Sequence, residues 1–444
     1  MIKKILKYIS TFIILLLIFN LLLFAGSLYP SKIIEKNVKK SSQILTEEGN
    51  LYEFFEWSDV VNNNYTDALM INEAYSIDNT NPLYSYMAVR KNFNKEITKK
   101  HLADTQEELI SINSEDYDPV GELEQFVNGN IDTSINYARY WHGYLPILRT
   151  LLIFLDIAGI RKILLIIFII LFIILFIWLI KLIKEKIGIT ASMIFAISLI
   201  LEGYFYVSYS LESAPVFIVM MISSIILLKR IDKIKNLYLY IFIISCITNF
   251  VDYLTVPLIT LAIPLLLYIL YKQKNDKEIK CKDYIKIIIK SSIIWFIGYA
   301  TTWISKWIIY DIIYQEGLLK SAIMQVMYRS ESYNKYKIIT IQEMVRELIF
   351  DNIGYTVMIF NIFIFGCFIC KKKYKLKIKE KSEYFNESIP MLLISIMPLV
   401  WYRALANHTL MHYRFVYRHM LIFLIGITIC LKNIFTIEKT NENK

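Results

Sequence analysis

The sequence predicts an all-α membrane protein. It reads as a polytopic transmembrane helix bundle of about 10 helices, with a long extracytoplasmic first loop carrying interfacial helices. Three observations predict this. The chain has 444 residues, of which 56% are hydrophobic, too little polar surface to cover that apolar mass in water. Apolar runs near the length of a bilayer-crossing helix recur along it. The Lys and Arg residues behind its net charge of +10 cluster at the ends of alternate runs, as the positive-inside rule requires.

The first span is expected at Ile5 to Phe24, after Lys3 and Lys4. It lacks a small-residue cleavage pattern, so it reads as an uncleaved helix rather than a signal peptide. Residues 25–161 hold no unambiguous span and form the extracytoplasmic loop. Within it, Leu51 to Trp57 and Asp67 to Tyr75 have helix-like spacing, and Asn79 to Pro82 reads as a turn. Leu145 to Ile160, broken by Asp156 and Gly159, is expected to lie along the outer surface. The body occupies 162–444. Its spans are expected near 163–180, 189–206, 214–228, 237–250, 257–271, 287–304, 353–370, 389–404 and 415–431, with a second outer loop near 305–352. Basic clusters at 229–235, 272–286 and 371–381 contrast with the short segments 206–212 and 252–256, which carry no Lys or Arg. An even helix number then puts both termini in the cytoplasm of a multi-pass cell-membrane protein.

The chemistry excluded is broad. The basic balance is accounted for at helix ends, and no basic groove motif is present, so no nucleic acid is expected. The five cysteines fall in spans or on the cytoplasmic side, which argues against a disulfide framework. Cys367 and Cys370 form a lone CxxC without a second pair. No HExxH, GxSxG, Walker or dinucleotide glycine motif occurs. His408 and His412 stand one helical turn apart but lack a nearby glutamate, so no metal ligands are assigned.

Polar chemistry gathers on one face of this topology. The first loop carries Glu53, Glu56, Asp59, Asp67, Asn72, Glu73 and Asp78. Asp252 sits in a short turn between two apolar spans, as a functional group or as a helix cap. The segment from Trp401 to His419 places Arg403, His408, His412, Arg414, Arg418 and His419 in one short outer turn. Arginine forks fit phosphate oxygens, and histidine moves protons near neutral pH. The spacing Arg414-x-x-x-Arg418 puts both guanidinium groups on one helix face. An anionic ligand or the anionic lipid surface would offset that charge.

The layout resembles the integral-membrane glycosyltransferases of the C fold type (GT-C). The resemblance rests on the acidic stretch from Glu53 to Asp78, the interfacial stretch from Leu145 to Ile160 and the Arg/His turn before the last helix. It also resembles multi-pass membrane proteins of Gram-positive bacteria at Phe250 to Pro257 and Asn407 to Arg418. The resemblance implies an outer-face transferase that moves a sugar from a polyprenyl-phosphate donor to a glycan or lipid acceptor in the cell envelope. It implies Asp67 and Asp59 as catalytic candidates. Asp252, Arg403, His408, His412, Arg414 and Arg418 would bind the substrate. A divalent metal serves some members of that family. Two further readings stand beside it: a polymerase or ligase for lipid-linked glycans, and a non-enzymatic transporter or flippase.

Overall fold

Residues that are apolar around the whole helix circumference have no reason to fold against a core, and they seek lipid instead. The computed structural model follows this rule. It describes residues 2–53, 61–93, 118–183, 189–234, 236–276, 279–330, 341–369 and 374–439. Helices Ile2–Ser27 and Ile157–Ile183 leave Ile9, Ile13, Leu17, Ile166, Ile170 and Ile177 exposed along their length. Among the described residues, five helices are long and apolar enough to cross a membrane: Ile2–Ser27, Ile157–Leu182, Cys281–Tyr314, Lys381–Ala404 and Tyr413–Asn433. Others are apolar but shorter, including Thr190–Leu201 and Leu237–Val251. The chain is predominantly helical.

Several boundaries differ from the sequence expectation, each for a local reason. The stretch from Leu145 to Ile160 is not one surface helix. Helix Leu145–Phe154 stops where Leu155 turns extended, and a new helix starts at Ile157. Asp156 initiates it, its carboxylate accepting from the Gly159 N–H at 3.0 Å. Arg161 therefore belongs to the long apolar helix. The helix expected to end near Ile304 continues to Tyr314, where Gln315 and then Gly317 adopt positive φ. Much of the expected second outer loop is also helical, as Leu318–Ser330 and the start of Ile341–Ile369. The described part of Leu51 to Trp57 is a strand, Leu51–Glu53, paired antiparallel with Val61–Asn63. The last approach is broken into Met397–Ala404, Ala406–Met411, Tyr413–Val416 and the 3-10 turn Tyr417–His419 before Met420–Asn433 begins.

The bundle has two chemically distinct ends. At one end the basic clusters meet. Tyr271 donates its hydroxyl to Asp232, Gln273 donates to the Glu387 carbonyl at 2.9 Å, and Lys379 pairs with Glu387 at 2.6 Å. The strand Tyr374–Ile378 pairs there with Phe435–Lys439, and Lys7 faces Lys229 and Arg230. At the other end, first-loop segments pack over the turns at 206–212 and 252–256, and the segment 405–419 meets the latter turn through His408. Trp141 donates to the Thr302 carbonyl at 2.7 Å, and Trp303 and Trp307 both donate to the Arg139 carbonyl. These indoles pin the segment 137–144 to helix Cys281–Tyr314.

Candidate functional site

The turn after helix Leu237–Val251 organises the loop end. Asp252 accepts from the Thr255 N–H at 2.8 Å and the Thr255 hydroxyl at 2.9 Å through Oδ1, and from the Tyr299 hydroxyl at 2.6 Å through Oδ2. Burial pushes its carboxyl up to about 6, against those donors. Leu254 takes a positive φ of 62°. Three consecutive residues thus reach three different elements: Asp252 to Tyr299, Tyr253 to Glu73, and the Leu254 carbonyl to His408.

Glu73 is the most unusual group met there. It lies on helix Asn64–Tyr75 and is fully buried. Its Oε2 accepts from the hydroxyls of Tyr144 and Tyr253, the latter at 2.5 Å. His142 Nδ1 stands 3.3 Å from the same oxygen, while Nε2 donates to the Tyr137 carbonyl at 2.7 Å. The other oxygen, Oε1, is buried without a hydrogen-bond partner among the described residues. Such an acceptor is costly unless something uses it. Burial, then the Glu73 charge, raises the Tyr144 and Tyr253 hydroxyls well above the ordinary tyrosine range, so both stay protonated as donors.

Around Glu73 stands an aromatic wall. Tyr140 packs 4.8 Å from Tyr253 and stacks at 5.7 Å on Trp303, while Tyr137 stacks on Tyr253 at 6.4 Å. A close backbone approach holds the wall. Gly143 donates its N–H to the Phe250 carbonyl at 2.8 Å, and a Cβ there would stand 2.4 Å from that oxygen. His142, just before it, takes a positive φ of 57°.

A cation closes the arrangement. Arg329, on helix Leu318–Ser330, donates to His408 Nδ1 at 2.6 Å, and His408 Nε2 donates to the Leu254 carbonyl at 2.9 Å. Burial first, then Arg329, holds His408 well below the usual histidine range, so the ring is neutral. Tyr137 lies in electrostatic reach of both Glu73 and Arg329. His412 packs 4.7 Å from His408 and stacks on Phe415 at 5.1 Å.

The other sequence candidates separate. Asp67 is fully buried, and both its oxygens are engaged: Oδ1 by the Leu211 N–H at 2.9 Å, Oδ2 by Arg161 at 3.3 Å and Asn62 at 3.4 Å. Arg161 also bonds Glu48 at 2.8 Å and Asn64 at 2.9 Å. Asp67 is therefore a tie between the first loop and helix Ile157–Ile183. Burial raises its carboxyl to about 6 despite Arg161. Asp59 lies outside the described residues. Arg414 and Arg418 both lie in the first turns of Tyr413–Asn433, which pass through the 3-10 stretch Tyr417–His419, and packing separates them. Arg403 and Arg414 are exposed, while Arg418 is buried within electrostatic reach of Glu202 and Glu212. Of the sequence candidates, Asp252, His408 and His412 come together.

Sequence reasoning placed Glu73 in the first-loop acidic cluster without singling it out, and assigned no role to His142, Tyr144, Tyr253 or Arg329. The available signal was the string Trp141-His142-Gly143-Tyr144, where a histidine and a glycine sit among large aromatics. Among the described residues, no group of three or more His, Cys, Asp or Glu could hold a metal ion. Fold and site together define a class: a mostly helical protein with several apolar helices of membrane-crossing length and an aromatic-walled polar site at one end. Comparison with family models, curated proteins and solved structures gives no match to this chain.

Proposed function

We propose that the protein is a membrane glycosyltransferase moving a sugar from a polyprenyl-phosphate-linked donor to an envelope glycan or lipid acceptor on the outer face of the cell membrane. One observation carries the reading: a carboxylate with one oxygen unpartnered among the described residues, a guanidinium and a wall of aromatic rings converge on the turn at 252–254. Each serves one need of the reaction. Glu73 Oε1 takes the proton of the acceptor hydroxyl while that oxygen bonds to the anomeric carbon. The anomeric carbon–oxygen bond to phosphate breaks, and Arg329 neutralises the departing phosphate, with His412 beside it at His408. The aromatic wall supplies apolar faces for the sugar ring. Asp252 positions Tyr253 and the Leu254 carbonyl.

The proposed topology has about ten spans and both termini in the cytoplasm. Its support is the meeting of Lys7, Lys229, Lys379 and the C-terminal strand at one end of the bundle. In this reading the shorter apolar helices cross as well, and the site stands at outer headgroup depth.

The alternative reading as a flippase or transporter draws on Arg418 and Glu202, whose Nε and Oε1 are buried without partners among the described residues. Cells lacking the protein separate the readings when complemented with variants. Wild type is expected to restore the envelope glycan, and Glu73→Gln or Arg329→Gln to leave it truncated. Full restoration by Glu73→Gln would remove the base and with it the proposal.

A further inference from the structure

The basic end of the bundle holds a second feature that glycosyl transfer does not use. A cavity of about 710 Å³ opens between the N-terminal helix Ile2–Ser27 and helices Ala214–Arg230 and Leu237–Val251. That volume is in the range of small-molecule sites, roughly 300–1,000 Å³. Four cations line it: Lys7, Lys229, Arg230 and Lys233. All four are exposed, and among the described residues no ion pair joins any of them to a carboxylate. Asp232, in the same stretch, accepts the Tyr271 hydroxyl.

The rest of the lining is apolar. Ile226, Leu239 and Ile243 face the cavity below the cations. Ile222 and Ile226, one helical turn apart, are both exposed, so the apolar surface continues along the helix away from the charges. A site for a free anion needs the cations and no apolar track. Four like charges around one cavity also repel each other until an anion enters. Basic pockets between transmembrane helices on the cytoplasmic side are suited to anionic lipid head groups.

We propose that this cavity binds one anionic phospholipid, its phosphate among Lys7, Lys229, Arg230 and Lys233 and its acyl chains on Ile226, Leu239 and Ile243. The lipid joins the N-terminal helix to the body. That helix is largely exposed, and its hold at this end includes Tyr8 and Phe12 packing edge-on against Phe242, at 5.2 and 6.3 Å, and a side-chain hydrogen bond between Tyr8 and Asn236. An anion shared between Lys7 and the cluster at 229–233 adds a bond across the same seam. The site is independent of the transferase reading, because it lies at the opposite end and shares no residue with it.

The test uses the full-length protein in nanodiscs of phosphatidylcholine with a minor share of phosphatidylglycerol, followed by native mass spectrometry and thermal unfolding. One tightly retained phosphatidylglycerol per protein is expected, with stabilisation that phosphatidylcholine alone does not give. The variant Lys229→Gln/Arg230→Gln/Lys233→Gln is expected to retain that lipid at least tenfold less well. The control Lys272→Gln/Lys274→Gln/Lys280→Gln removes equal charge from the same end and should retain it fully. Lys7→Gln, a single exposed change on the other side of the seam, should weaken retention several-fold, and it keeps the test valid if the triple variant fails to fold. Equal retention by Lys7→Gln and wild type, or by the two triple variants, would overturn the proposal. So would equal stabilisation by inorganic phosphate in detergent, which would make the cavity a free-anion site.

Discussion

At the scale of single residues, two buried carboxylates six positions apart on one helix divide into a tie and a reactive group. Asp67 spends both oxygens on Arg161, Asn62 and the Leu211 N–H, whereas Glu73 keeps one oxygen without a partner among the described residues. Asp67→Asn turns an amide donor toward Arg161 and Asn62 where a carboxylate oxygen accepted, and a buried donor left unmatched costs about 1–3 kcal/mol. Glu48 and Asn64 still hold Arg161, so the loss in thermal or denaturant unfolding should fall within that range, about 2 kcal/mol. Transfer per folded molecule should persist. Glu212 gives a pH prediction. It is buried beside Asn63, and burial raises its carboxyl to about 7. A raised folded pKa favours the protonated form in the folded protein. Its contribution is full below about pH 4.3, the unfolded value, and is lost as pH rises through about 7. Asp67 acts in the same direction, between about 4 and about 6. The unfolding temperature in detergent should thus decline across that window, and Glu212→Gln should flatten the decline. An unchanged slope in that variant would count against the burial of Glu212.

At the scale of elements, the site depends on how closely the segment 137–144 packs on the turn at 250–254. Gly143 is the contact point, and Gly143→Ala drives a methyl into the Phe250 carbonyl and ring. A cost of about 2–3 kcal/mol is expected, as for other steric insertions into a packed interior. Transfer should fall more than stability does, because Tyr144 moves with its backbone; circular dichroism melts and transfer rates on one preparation would separate the two. Glu73 was not legible in the sequence for a physical reason. Helix Asn64–Tyr75 is enclosed on nearly all sides, with nine of its residues buried. A helix without an exposed face shows no apolar stripe, so spacing cannot say which carboxylate faces what. The same holds for Arg329, whose partner His408 is 79 residues away. Arg414 and Arg418 stand about one turn apart on Tyr413–Asn433, but packing separates them, Arg414 being exposed and Arg418 buried. The long apolar helices were legible because lipid-facing surface needs no partner. Their ends were not, since Asp156 and Gln315 set them through local capping and positive φ.

At the scale of the whole molecule, the separation of a basic end from a loop end is the feature that orients everything else. In the proposed topology the basic end faces the cytoplasm, as the positive-inside rule favours. A reporter inserted at Gly129, an exposed turn position with φ of 77°, should then be extracytoplasmic, and one at the C-terminus cytoplasmic. A cytoplasmic signal at Gly129 would put the site on the wrong side for an outer-face acceptor. The long apolar helices could be anticipated from composition, whereas the site could not, because it is assembled from six segments, at 73, 137–144, 252–254, 299–303, 329 and 408–412, spread over more than 300 residues of chain. The most direct measurement is sugar transfer by the purified full-length protein from polyprenyl-phosphate-linked donors to extracted envelope acceptor, read as release of polyprenyl phosphate. Wild type and folded Asp67→Asn should both release it, and Glu73→Gln should fall by about a hundredfold or more, the typical loss of a general base. Equal release by wild type and Glu73→Gln, or none by wild type from any such donor, would contradict the assignment.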